Sequence, residues 1–147
     1  MKRFRGRVIT PGTVKATALV SRDEVDTLAS FGRALRVGDK GLTCGDRNNE
    51  DLFGKAMAGK ALCLPRTVGS ATGSLMLYCA CATNRQPACL LFSQSIDTVA
   101  AGGSILAAVW LENTQMPVID NLGAAFLRYV EDGMTVTLEG DGIVRVE

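Results

Sequence analysis

The hydroxyl-rich stretch Gly69-Ser70-Ala71-Thr72-Gly73-Ser74 holds the residues best suited to chemistry. It follows the buried run Ala61-Leu62-Cys63-Leu64-Pro65 and precedes the apolar run Ser74–Thr83, so it joins a strand's carboxyl end to a helix start. Gly69 and Gly73 allow close backbone approach, and the N–H groups of the helix that follows favour a carboxylate or phosphate. The plainer reading is that one of the three hydroxyls caps the helix. No lysine follows Gly73 and the spacing is short, so this is not a nucleotide phosphate loop; it also lacks the dinucleotide fingerprint.

Other candidates are weaker. Arg47 and Arg66 carry the fork that grips carboxylates, although loop arginines commonly stand in solvent. Cys63 and Cys89 fall in strand runs, and Cys79 and Cys81 point to different faces of one helix, so the four cannot easily share an ion. Cys44 lies in the polar segment GLTCGDRNN, where a thiol is either structural or reactive. Asp97 most simply caps a helix, and Gly102-Gly103 permits close helix packing. The chain has no histidine, which excludes a Ser/His/Asp hydrolase and any histidine-ligated metal site built from this chain alone.

The elements that must position these residues read as β-α-β-α-β through the middle: strands at 61–65, 88–92 and 117–120, helices at 74–83 and from Asp97 to about 106. Such alternation implies parallel pairing. Residues 7–20 read as two strands meeting at Pro11-Gly12, and the tail as a short helix over 123–130 followed by a hairpin around Gly140-Asp141-Gly142. Between them, residues 21–58 read as a long excursion, with a short strand beginning near Ser30-Phe31-Gly32. With 147 residues, 47% of them hydrophobic, the expectation is one α/β domain over 1–147. Its central sheet is mainly parallel and flanked by helices, with a β-hairpin layer from the chain ends.

The net charge of +1 gives no drive toward nucleic acid or a membrane surface, and the cations Lys2, Arg3, Arg5 and Arg7 read as a solvated edge. No apolar run is long enough to span a bilayer, and the five cysteines fit reduced thiols, so a cytoplasmic location is expected.

Taken in order, GRVITPG, ASFG, GKAMAGKALCLP, VGSATGSLML, PACLLF, SIDTVAAGGSILA, MPVIDNL and VEDGMTVTLEGDGIVRVE resemble the swivelling domain of the aconitase X family across nearly the whole chain. The resemblance implies a β/β/α swivelling domain, here as a separate small subunit of a hydro-lyase that is active only with a large catalytic partner. It also implies that Ser70 is the catalytic base, and that Gly69, Ala71 and Thr72 lend backbone or hydroxyl contacts. The iron or iron-sulfur centre is expected in the large subunit, with no metal ligand here.

The chain departs from the family pattern at Gly32-Arg33-Ala34-Leu35 and Arg47-Asn48-Asn49. Val68 stands where relatives often place Arg or Lys, so a cationic contact is either missing or supplied by Arg66. The implied reaction removes water from a small hydroxy acid. The altered loop favours cis-3-hydroxy-L-proline, with a phosphorylated mevalonate as the alternative. A non-catalytic binding module on the same fold is the competing class.

Overall fold

The computed structural model describes residues 1–112 and 114–147. Three short buried strands, β5 (Ala61–Leu64), β7 (Cys89–Phe92) and β8 (Val118–Asp120), lie parallel in the middle of an eight-stranded sheet. The long strand β3 (Thr13–Val20) joins its two halves. Its Ala18–Val20 end runs parallel to β5, whereas Thr13–Thr17 pairs antiparallel with β9 (Thr135–Glu139). From there β10 (Ile143–Val146) and β1 (Lys2–Arg5) continue antiparallel, so the chain ends meet; β2 (Arg7–Thr10) closes the far side against β8. The full order is β1-β10-β9-β3-β5-β7-β8-β2. Strands β2 and β3 meet at Pro11-Gly12 in a corner and not a hairpin, because each finds its partners elsewhere.

Alternation along the buried strands divides the interior in two. Leu62, Leu64, Leu90, Phe92 and Val118 face one core with Phe31, Leu77 and Ala80 from the helices. Ala61, Cys63, Cys89, Leu91 and Ile119 face the other, with Val136, Leu138, Val144 and Val146 of the antiparallel strands and Phe126 of α4 (Ala124–Tyr129). The antiparallel half thus folds over one face while α1 (Thr27–Arg36), α2 (Thr72–Ala82) and α3 (Thr98–Trp110) cover the other. This is the β/β/α layering that the sequence implied.

Two expectations are corrected. The stretch expected as loop with a short strand near Phe31 is helix α1: Asp26 caps it by accepting from Ala29 N at 3.1 Å, and Phe31 and Ala34 pack inward. The solvated-edge reading is incomplete for Arg7, which stays exposed but whose Nε and Nη2 lie 3.0 and 2.6 Å from the oxygens of fully buried Asp120. That carboxylate also accepts from Ile96 N at 2.7 Å, so the pair pins β2 and the approach to α3 to the end of β8. Partnering with Asp120 raises the Arg7 pKa.

Candidate active site at the serine loop

The serine loop stands at the carboxyl edge of the parallel strands, where three helix N-termini gather. A two-residue strand, β6 (Thr67–Val68), pairs parallel with β4 (Val25–Asp26), and this small ladder sets the height of the loop. Asp97 fastens it from the other side: its carboxylate accepts from Thr67 N at 2.8 Å and Thr67 Oγ1 at 2.5 Å, and from Ala100 N at 3.2 Å as the cap of α3. One side chain therefore both starts a helix and holds the strand that delivers Ser70. The capping role expected for Asp97 is present, together with this second one.

The turn itself depends on glycine. Gly69 has φ +111, a conformation L side chains rarely adopt, and a Cβ there would meet Asp26 Oδ1 at 3.2 Å. At Gly73 a Cβ would meet Thr27 Oγ1 at 2.2 Å and Val99 Cγ1 at 3.0 Å, so α2 begins where only glycine lets it rest between α1 and α3. Gly102 and Gly103 serve the same contact: a Cβ on Gly103 would stand 2.5 Å from Ser74 O. Ser74 Oγ is spent inside this joint, donating to Val99 O at 2.7 Å.

None of the loop hydroxyls caps α2. Its N-cap residue, Ala71, makes no side-chain cap bond, in contrast to Asp26 on α1 and Asp97 on α3. The turn closes through backbone alone, with Gly73 N donating to Ser70 O at 2.9 Å and Ser74 N to Ala71 O at 3.0 Å. Ser70, Ala71 and Thr72 are exposed, and their N–H groups find no acceptor among the described residues. The Ser70 hydroxyl likewise makes no hydrogen bond there. The result is a free hydroxyl beside unspent donors at the positive end of a helix, an arrangement that stabilises negative charge.

The remaining candidates are not brought to Ser70 by contact. Arg66 is exposed at the other end of β6, its Nε donating to Thr67 O at 3.2 Å. Arg47 belongs to the loop after α1, with its guanidinium 5.8 Å from the Phe53 ring. Cys44 is 1% exposed in the helix-side core, and burial raises its pKa, which leaves the structural role and removes the reactive one. Cys63 and Cys89 lie in the core between the parallel strands and the antiparallel half, with burial pushing the Cys63 thiol well up and Cys89 to about 12; Cys81 reaches about 11. Among the described residues no three His, Cys, Asp or Glu side chains converge on a point that would hold a metal ion. Asp26 and Thr27, which the β4–β6 pairing brings against Gly69 and Gly73, and the Thr67 bonds to Asp97 carry no signal in the loop's own sequence.

Residues 3–146 match the family described as Aconitase X swivel domain. The chain belongs to that family. It is 28% identical to the phosphomevalonate dehydratase small subunit of Methanosarcina mazei over 138 residues, covering 94% of this chain and 85% of that one. A second protein of that name, from Aeropyrum pernix, is also 28% identical, over 98% of this chain and 92% of its own. The crystal structure of Thermococcus kodakaraensis aconitase X in its holo form superposes with a TM-score of 0.80 at 23% identity, covering 100% of this chain and 99% of that chain. That likeness fixes the fold of this swivel domain. Among the described residues no helix is long and apolar enough to cross a membrane.

Proposed function

We propose that this chain is the small subunit of a cytoplasmic hydro-lyase in which Ser70 is the base that starts water elimination from a hydroxy acid. The observation that carries the reading is the uncapped α2 terminus, which leaves Ser70 exposed among unpaired N–H groups within an aconitase X swivel domain. In this reaction Ser70 Oγ, as the alkoxide, takes a proton from the carbon beside the substrate carboxylate. The C–H electron pair becomes the new C=C bond as the neighbouring C–O bond breaks, and the departing hydroxide takes up the proton that Ser70 removed, so that water leaves and the alkoxide is restored. The N–H groups of residues 70–72 and the α2 dipole lower the cost of negative charge on Oγ and on the substrate. Gly69 lets the loop turn, and Ala71 and Thr72 offer backbone contacts to the substrate.

An exposed serine beside a helix end is half a site, and the other half belongs to a large catalytic subunit. The family resemblance gives the iron or iron-sulfur centre to that partner, and no step by this chain runs through it; among the described residues no side chains converge on a metal site. Arg66 and Arg47 are the substrate-facing cations on this side. The relatives reported above carry the phosphomevalonate name, which supports a phosphorylated mevalonate as substrate in place of the cis-3-hydroxy-L-proline that the altered loop favoured.

Co-expression with the large subunit tests this. The two chains should co-purify, and the complex should dehydrate phosphomevalonate while either chain alone is inactive. Turnover of cis-3-hydroxy-L-proline alone would return the substrate to the first reading, and binding without turnover of either acid would make the chain a binding module.

A further inference from the structure

Helix α1 carries Arg33 and Arg36 one turn apart, and the loop after it brings Arg47 alongside. The loop is held there by its backbone: Gly45 N donates to Ser30 O at 3.1 Å, and a Cβ on Gly45 would lie only 3.6 Å from Arg33 Cβ. All three arginines line one cleft of about 520 Å³, floored by Ala29 and Gly32 and bordered by Leu28 and Met76. Asp46 also lines it, with Oδ1 accepting from Asn48 N at 3.0 Å. Among the described residues, the ion pairs join Arg7 to Asp120, Lys55 to Asp132 and Arg145 to Glu139; none involves the three cleft arginines.

Cations in the last turn of a helix offset its dipole, which accounts for Arg33 and Arg36 but not for Arg47, delivered by a separate segment. A guanidinium near an aromatic ring, as Arg47 is near Phe53, keeps its N–H edge for an oxyanion. Three arginines against one carboxylate leave the cleft an excess of positive charge, and guanidinium forks suit a group of several equivalent oxygens. We infer that this cleft is a binding site for a phosphate group, held by Arg33, Arg36 and Arg47. Its position suits a phosphorylated substrate: Leu28 and Ala29 follow Asp26, which underlies Gly69, and Met76 is four residues past Thr72, the start of α2, roughly 6 Å along the helix axis. That source for the phosphate rests on the proposed function; the site itself does not.

Titration of the full chain with inorganic phosphate, against chloride at equal ionic strength, tests the site by amide NMR. Saturable shifts are expected at Arg33, Arg36 and residues 45–47, and binding should weaken about tenfold or more in R33Q/R47Q, since charge-assisted hydrogen bonds are lost. The variant's spectral dispersion checks that it is folded. Shifts equal to those in chloride, or unchanged affinity in the folded variant, would overturn the inference. Kinetics of the two-subunit complex then separate the sources. A tenfold rise in KM for phosphomevalonate with kcat nearly unchanged assigns the phosphate to the substrate. An unchanged KM in R33Q/R47Q, with phosphate binding to the free chain weakened as expected, assigns the site to a separate phosphorylated ligand. Inactivity of the complex would count against the dehydratase reading, while the titration would still decide the site.

Discussion

At the scale of single residues, the loop owes its shape to glycine and its exposure to the absence of a cap. Gly69→Ala places a side chain at φ +111 against Asp26. It should cost about 1–3 kcal/mol in urea unfolding and remove most of the turnover. Asp97→Ala should cost about 2–3 kcal/mol, because one carboxylate serves the α3 cap and both Thr67 donors. Ser70 was legible as a candidate from its place between a buried strand and an apolar helix. Its freedom from capping was not, because Gly-Ser-Ala-Thr-Gly-Ser offers three hydroxyls and their spacing does not say which, if any, turns back onto the helix.

At the scale of elements, three helices meet where side chains are missing. α2 and α3 touch through Gly103 and Ser74, so Gly103→Ala drives a methyl into a backbone carbonyl that cannot rotate away. We expect a loss of about 1–3 kcal/mol by thermal unfolding, with Ser70 displaced because α2 must shift. The middle strands were readable because each is a short, continuous apolar run ended by a turn residue. Helix α1 was not, although Thr27, Ser30, Phe31 and Ala34 recur at helical spacing, because Thr27, Ser30 and Gly32 are poor helix formers that hide the inward face among turn-like residues. The two-residue ladder of β4 and β6 carries no local signal at all; it exists because Val25 and Thr67, 42 positions apart by their numbers, pair across the fold.

At the scale of the whole molecule, the chain is two cores on either side of one parallel sheet, and its thiols report on them. Cys81 and Cys89 have pKa values raised by burial to about 11 and about 12, above the ordinary 9.0. The folded state therefore holds those protons more tightly than the unfolded chain. Their contribution to stability is intact below pH 9 and is lost as pH rises from 9 toward 12. Urea midpoints measured across that range should fall, and the fall should be shallower in Cys81→Ala/Cys89→Ala, although that variant starts lower from its cavities.

The central claim is that a hydroxyl with no structural duty does the chemistry. Ser70→Ala in the two-subunit complex tests it most directly. The account predicts a fall in kcat of about a thousandfold or more, as for removal of a group that acts in the transition state. The melting transition should stay within about 0.5 kcal/mol of the parent, and the complex should still assemble. A mutant that folds, assembles and retains full turnover would contradict it.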